Sequence, residues 1–221
     1  PGVTTIDAQT LGRGFIITSS EEYVDVRGFS FINTEYWIYG SNDDLRLTLD
    51  NCRFRNSAHG GIELDIKRAT ITNCTFSGDM GSGNKVALKL ITSLNGYVSY
   101  CQMTDIASGS RCISSFGANT FSNCTFENNS IPIGYFRGYS DRPYAIHDCD
   151  LEANTSNSNL IELSAYGQIQ DCSIRSNTSE SDMVLVGSST SITSTSFENN
   201  TINDNADWLI RLNGSSMIDQ C

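Results

Sequence analysis

Three charged residues have types and spacing suited to acid–base chemistry. Glu63 and Asp65 are two residues apart, which places them on the same face of an extended strand, and Lys89 follows about one repeat later. A carboxylate beside a lysine can act as an acid and base pair in the cleavage of an acidic polysaccharide. The alternative is a surface salt bridge between neighbouring strands, the more common arrangement for opposite charges at this spacing.

The two histidines add little to this set. His59 precedes Gly60 and Gly61 in a predicted loop, and His147 stands beside Asp148, where it is expected to be solvated. Neither has nearby residues that would complete a catalytic or zinc-binding group, and no Gly-x-Ser-x-Gly or phosphate-binding loop occurs. The sequence therefore predicts no catalytic residue, no metal site and no cofactor.

A stretch rich in aromatic and arginine residues, "GYFRGYSDRPYAIHD" at 134–148, is predicted to be an insertion with a contact function. Its composition suits stacking on sugars or anchoring a protein interface. The alternative is that these side chains only pack a long loop over the body of the protein. The candidate binding residues are Tyr135, Phe136, Arg137, Tyr139, Arg142 and Tyr144.

These candidates lie on a repeated framework, because "ATITNCTFSGD" at 69–79 returns at 120–129 as "TFSNCTFENN". Aligning the chain on the cysteine of this motif gives a column whose members are 22 to 27 residues apart. An apolar residue stands three positions before each member, and another follows two positions after nearly all of them. The column comprises Ile6, Phe29, Cys52, Cys74, Cys101, Cys124, Cys149, Cys172, Thr195 and Cys221.

This spacing predicts two short strands per repeat, with a sharp corner between them that resets which side chains point inward. Most residues at the corner are Gly, Asn or Asp, the types that enter the left-handed region most easily. Tyr100 and Gln220 fit the corner worst. The predicted corners are Gly28, Asn51, Asn73, Tyr100, Asn123, Asp148, Asp171, Ser194 and Gln220.

A third apolar strand stands about a dozen residues before most column members, as in "GIELDI" at 61–66 and "LIELS" at 160–164. Three short strands in each of about nine coils predict an all-β, single-domain solenoid over residues 1–221. The pattern resembles the right-handed parallel β-helix of the pectate-lyase-like superfamily and of bacterial surface proteins. "CRFRNSAHGGIELD" at 52–65 also resembles the FxxN and GGxI motifs of polymorphic outer-membrane proteins.

The eight cysteines are predicted to be free thiols. Seven of them fall in the inward column, and Cys112 takes an inward position in another strand. Neighbouring column positions are about 4.8 Å apart, whereas the β-carbons of a disulfide are about 3.8 Å apart, so bridges would strain the stack. Seven Asn-x-Ser/Thr triplets also occur, and they are either glycan acceptors or a by-product of an Asn- and Thr-rich sequence.

Composition limits the partners. Asp and Glu outnumber Lys and Arg by 25 to 14, so the net charge of −11 repels nucleic acid. No apolar run approaches the roughly 20 residues of a membrane-spanning helix. Charged residues make up only 18%, and Ser, Thr, Asn and Gly are abundant, which is typical of extracellular or cell-surface β proteins.

Both ends of the sequence show the column pattern, with Val3, Ile6 and Ala8 at one end and Ile218 and Cys221 at the other. An uncovered coil presents unpaired backbone groups, so we expect these ends to pair between copies, head to tail, as an open filament. The alternative is a fragment of a longer surface protein. The expected function is a non-enzymatic structural or adhesive rod; the other reading is a carbohydrate-active enzyme or glycan-binding module, because this fold hosts both.

Overall fold

The computed structural model describes residues 4–9, 12, 14–17, 23–81, 85–203 and 208–221. These residues form 24 β-strands, numbered β1 to β24 in chain order, and no helix. Every pairing between named strands is parallel, and strands within a stack pair with their counterparts in the coils before and after them. The predicted all-β parallel β-helix is therefore confirmed.

One sheet is built from the short strands that follow the column residues. Its strands pair in register, so that Ile6, Phe31 and Phe54 lie one above another. In stacking order they are β1 (Thr4–Asp7), β4 (Phe29–Thr34), β6 (Arg53–Ser57), β8 (Thr75–Gly78), β10 (Gln102–Ile106), β12 (Thr125–Glu127), β15 (Asp150–Glu152), β18 (Ser173–Arg175) and β21 (Ser196–Glu198).

The second sheet contains 12 strands and surrounds the rest of the core. It comprises β2 (Phe15–Ile17), β3 (Tyr23–Arg27), β5 (Ile38–Asp50), β7 (Ile62–Thr72), β9 (Val86–Ser99), β11 (Arg111–Ser122), β13 (Gly134–Arg137), β14 (Tyr144–His147), β17 (Ile161–Gln170), β20 (Val184–Thr193), β23 (Ile210–Leu212) and β24 (Met217–Asp219). A small third sheet joins β16 (Thr155–Ser156), β19 (Thr178–Ser179) and β22 (Thr201–Ile202).

The coils differ from the predicted three short strands. In β5, β7, β9, β11, β17 and β20, two predicted strands run together as one strand of 10 to 14 residues. Irregularities in the pairing, such as the one between Asn42 and Arg46, shift the register within these strands. The change of inward phase is therefore absorbed by a bulge, which bends a strand without ending it.

All nine predicted corners have the left-handed conformation, with φ between 47° and 68°. Tyr100 is among them, although its type fits poorly. A second series of corners, which the sequence analysis missed, follows the short strands at Gln9, Asn33, Asn56, Gly78, Asp105, Asn128, Ala153, Ser176 and Asn199. Each coil therefore turns sharply on both sides of its short strand.

The predicted inward column is confirmed from the second coil onward, and its register is wrong in the first. Ile6 pairs with Phe31 rather than with Phe29, and Thr4 takes the place opposite Phe29. Ala8 consequently lies beyond the position assigned to it, and Val3 lies outside the described residues. The register of the first coil is shifted by two residues, which leaves the alternation of inward and outward side chains unchanged. Alternation alone therefore cannot reveal the shift.

Two kinds of side-chain stack fill the interior. In the early coils the rings of Phe31, Phe54 and Phe76 stack at centroid distances of 5.1 and 5.0 Å, with Trp37 packed against them. In the late coils a column of asparagine side chains, the asparagine ladder, hydrogen-bonds from coil to coil inside the protein. It consists of Asn129, Asn154, Asn177 and Asn200.

Candidate functional site

The predicted Glu63 and Lys89 pair exists. β7 and β9 bring the two residues into register, and Lys89 Nζ donates to Glu63 Oε1 at 2.6 Å. Both side chains are about one-third exposed, so the pair lies at the surface. Asp65 points to the same side but lies opposite Ile91 rather than a cation. The geometry is that of a surface salt bridge, in which the carboxylate and the ammonium group are paired with each other.

A shallow pocket of about 120 Å³ lies beside this pair. Tyr36, His59, Lys85 and Lys89 contribute to its lining, and the rings of Tyr36 and His59 stack with centroids 6.4 Å apart. Glu63 is the one carboxylate among the described lining residues. The pocket can hold a small polar group near two ammonium groups, and it lacks the second carboxylate that hydrolysis of a glycosidic bond uses.

His147 lies away from this pocket, on β14, and its Nδ1 is 2.8 Å from Asp148 Oδ2 at the surface. Among the described residues, no three histidine, cysteine or acidic side chains are grouped so that they could hold a metal ion. The pocket beside Glu63 and Lys89 therefore offers this ion pair, the two stacked rings and Lys85 as its functional groups.

The aromatic and arginine segment is not an insertion, which corrects the prediction. Its first four residues form β13 and residues 144–147 form β14, so only residues 138–143 remain as a turn, closed by an antiparallel bridge between Tyr139 and Arg142. Phe136 and Tyr144 are buried in the core at 2% and 1% exposure. These two residues are therefore not available to a ligand.

The other four candidates of this segment lie at the surface in two groups. Tyr139 is exposed, and the Arg142 guanidinium lies 5.7 Å from the centre of its ring, within the turn. Tyr135 and Arg137 point outward from β13, toward the side of the molecule that also carries Lys89. Their role in binding remains a prediction.

The cysteine side chains adopt one repeated pose. In each column cysteine the thiol donates to the carbonyl oxygen two residues earlier, at 3.2 to 3.5 Å. Cys52, Cys74, Cys101, Cys124, Cys149 and Cys172 are buried, as is Cys112, and all are free. Cys221 belongs to the same column but is exposed, because no coil of the described chain covers it.

Interior position affects the ionisation of these thiols. Neighbouring column thiols and then burial raise the pKa of Cys52, Cys101 and Cys149. Burial alone raises the pKa of Cys112. A thiol in a low-dielectric core favours its neutral form, so these cysteines act as small apolar side chains rather than nucleophiles.

The asparagine ladder limits the possible glycan acceptors. Asn154 and Asn177 begin Asn-x-Ser/Thr triplets, but their side chains are 1% and 0% exposed and are hydrogen-bonded on both sides. The triplets at Asn73, Asn123, Asn128, Asn199 and Asn213 have exposed asparagines. Only these five have the access that modification of the folded protein requires.

Comparison with known proteins gives one match. A family model described as "Right handed beta helix region" matches residues 13–141, more than half of the chain. No curated protein and no solved structure matches. Among the described residues, no helix is long and apolar enough to cross a membrane.

Proposed function

Since the chain belongs to the right-handed β-helix family, we propose that it is a non-enzymatic structural or adhesive rod at the cell surface or outside the cell. Copies of the rod join head to tail. The observation that carries this proposal is the in-register stacking of the coils, in which Leu212 and Ile218 of the last described coil continue the buried apolar columns of Val186 and Ile192. Apolar side chains at the edge of a parallel sheet are typical of a surface that pairs with another strand.

The first coil offers matching side chains. If the ladder continues in register from one copy to the next, Ile6 stacks on Phe197 and Phe15 stacks on Ile210, as their counterparts do inside each rod. The same register places Arg27 above Asp219, which repeats the neighbouring Arg27 and Asp50 within the rod. Asp7 and Glu198 would meet as like charges, so we expect salt to strengthen the contact.

Electron microscopy and sedimentation of the chain test this assembly. We expect thin fibres with an axial repeat of about nine strand spacings of roughly 4.8 Å. Ile6→Asp should abolish growth, because the contact would bury an unpaired carboxylate. The control Ser30→Asp places the same charge on the outward face of the second coil and should leave fibres intact. A monodisperse monomer at high concentration would contradict the proposal.

A carbohydrate-active enzyme is the second candidate, and the pocket beside Glu63 and Lys89 is the observation that favours it. Cleavage of an acidic polysaccharide by elimination would release unsaturated products that absorb in the ultraviolet. We expect no such product from pectate, alginate or chondroitin. Activity lost in Lys89→Met and kept in the control Lys67→Met would establish the enzyme in place of the rod.

A further inference from the structure

Charge is divided unevenly along the chain. Residues 1–110 carry 9 Lys and Arg against 12 Asp and Glu, a net charge of −3, whereas residues 111–221 carry 5 against 13, a net charge of −8. Because the coils stack in chain order, this division runs along the rod. A sheet face that shares the division is complementary in charge to a second copy of itself that is turned end for end.

The outward face of the sheet that runs from β1 to β21 shares this division, and we call it the short-strand face. On β6 it carries Arg53 and Arg55, which are both exposed. On β15 it carries Asp150 and Glu152. Among the described residues, no salt bridge involves Arg53, Arg55 or Asp150. Two cations near one end and one carboxylate near the other are therefore available to a partner.

The strands of this face pair in register, so its outward side chains form two straight columns. In the second column Glu127 lies directly opposite Glu152, a like-charged pair that destabilises a single rod. The first column comprises Thr5, Ser30, Arg53, Thr75, Gln102, Thr125, Asp150, Ser173 and Ser196, and the second Asp7, Ile32, Arg55, Ser77, Thr104, Glu127, Glu152, Arg175 and Glu198.

We propose that two copies of the protein pair side by side through their short-strand faces, with the rods antiparallel. β10 lies midway between β6 and β15 in the sheet. A two-fold axis through β10 and parallel to the strands places Arg53 of one copy opposite Asp150 of the other, and Arg55 opposite Glu152. The contact is isologous, so each of these ion pairs occurs twice. It lies on the side of the rod and does not depend on the end-to-end contact.

Charge also selects the orientation of the two rods. A two-fold axis along the rod would make the rods parallel and would place Arg53 opposite Arg55 of the second copy. The same axis would place Asp150 opposite Glu152. Like charges would then meet at the basic and at the acidic end of the face, and such contacts suppress a wrong arrangement. The antiparallel arrangement replaces these contacts with pairs of opposite charge.

The size of the face predicts a weak dimer. Its nine strands span eight spacings of about 4.8 Å, or roughly 38 Å, and the face is two outward residues wide. It therefore buries less than the roughly 800 Å² per partner that is typical of a stable complex. At each end Asp7 faces Glu198, the one like-charged contact among the described residues of the two columns. Exposed ion pairs are individually weak, so salt should dissociate the dimer.

Sedimentation velocity of the Ile6→Asp chain tests the pair, because this substitution is expected to block end-to-end growth. We expect a concentration-dependent dimer in about 20 mM salt, and its Kd should rise about tenfold or more in about 0.5 M salt. Salt should strengthen the end-to-end contact, so its opposite effect separates the two assemblies. A chain that stays monomeric at low salt and high concentration would overturn the side-by-side pair, whether or not the unmodified chain forms fibres.

Charge reversal tests the residues of the contact. Arg53→Glu/Arg55→Glu and Asp150→Arg/Glu152→Arg should each raise the Kd about tenfold or more, because like charges then face each other. An equimolar mixture of the two variants should restore the Kd to within about threefold, since every reversed cluster then faces its opposite. Restored pairing also shows that both variants are folded. A mixture that pairs no better than either variant alone would contradict the proposal.

The control Arg46→Glu/Arg68→Glu makes the same change in net charge as the arginine reversal, but on the second sheet. Arg46 and Arg68 are also exposed and lie opposite each other on neighbouring strands. This variant should change the Kd less than about twofold. An equal loss of pairing in the control would mean that the net charge of the chain, rather than the short-strand face, governs association.

Cross-linking tests the orientation. In a Cys221→Ser background, Gln102→Cys lies near the two-fold axis and should link to itself at low salt with a short bifunctional thiol-reactive cross-linker. The control Thr48→Cys, on the second sheet, should not. Thr5 also comes near Ser196 of the second copy in this pair, so a link between those positions reports the end-to-end contact in about 0.5 M salt, where the pair is dissociated. Absence of the link at position 102 would overturn the antiparallel arrangement.

Discussion

The early and the late coils fill the same interior space with different side chains. In the early coils Phe31, Phe54 and Phe76 stack ring on ring, whereas in the late coils the same column holds Leu151 and Ile174. The late coils gain instead the asparagine ladder, in which buried amides hydrogen-bond from one coil to the next. Repetition of the backbone therefore does not require repetition of the chemistry, provided that each coil fills its volume and satisfies its polar groups.

The largest expected effect is shared by both regions, because the cysteine column runs through them. The pKa of Cys52, Cys101, Cys112 and Cys149 is raised in the folded protein, whereas an unfolded thiol ionises near pH 8.5. Each of these four thiols therefore contributes stability that is lost as pH rises above about 8.5, by about 1.4 kcal/mol per pH unit. The pKa of their column neighbours Cys74, Cys124 and Cys172 is lowered by hydrogen bonds from adjacent thiols, so those three add no loss in this range.

Urea unfolding under reducing conditions from pH 8 to 10 measures this slope. Cys112→Ala removes one of these thiols and should make the slope less steep by about 1.4 kcal/mol per pH unit. A stability that stays constant over this range would show that the thiols are not held neutral. Hydrogen exchange of early and late amides should show that both regions weaken together.

Removal of one rung from the asparagine ladder should have the next largest effect. Asn177 accepts from the backbone and side chain of Asn154 and donates to Leu151 O at 2.8 Å. Asn177→Ala leaves these buried groups unpaired and should cost about 4 kcal/mol in the free energy of unfolding. The exposed control Asn157→Ala should change it by less than about 0.5 kcal/mol. Equal effects would mean that the ladder does not stabilise the late coils.

Exchange of a residue type between the two regions has a smaller expected effect. Phe54→Leu puts into the early coils the residue type that position 151 has in the late ones. This substitution should lower the free energy of unfolding by about 1–2 kcal/mol, because the rings of Phe31 and Phe76 both lose their stacking partner. In Phe126→Leu, where the described residues provide no ring partner, we expect a cost below about 1 kcal/mol. A larger loss at Phe126 would contradict the distinction.

The smallest expected effect concerns a corner. Tyr100 has φ of 54° and is 63% exposed, so its ring contributes little packing in return for an unfavourable conformation. Tyr100→Asn should stabilise the protein by about 0.5–1 kcal/mol, and Asn123→Tyr should destabilise it by a similar amount. Thermal unfolding measures both variants, and shifts of the same sign would contradict this role of the corner.

Much of the fold was predictable because columns repeat. Each coil stacks on an almost identical coil, so the apolar position at Cys52 and the corner at Asn51 recur wherever the backbone does. The register of the first coil was predicted wrongly, because a shift of two residues preserves the alternation of apolar and polar side chains. The pairing of Ile6 with Phe31 shows this shift. The continuous strands were not predicted, because the sequence at the bulge near Asn42 is typical of a loop.

The side chains of the candidate sites were harder to predict, because contacts between coils depend on which residues lie in register. The Glu63 and Lys89 pair followed from counting one repeat, whereas Phe136 and Tyr144 looked like loop aromatics although they lie on strands and point inward. The ladder had a signal, since Asn129, Asn154, Asn177 and Asn200 each stand three residues after an inward apolar residue.

Site-specific cross-linking tests the head-to-tail rod most directly. Thr5 and Ser196 lie in one outward column at opposite ends of the chain, so an in-register contact places Thr5 of one copy beside Ser196 of the next. In a Cys221→Ser background, mixing Thr5→Cys protein with Ser196→Cys protein should give, with a short bifunctional thiol-reactive cross-linker, a dimer joined between positions 5 and 196. Each variant alone should remain uncross-linked. Cross-links between two copies of position 196, or none in the mixture, would contradict the assembly.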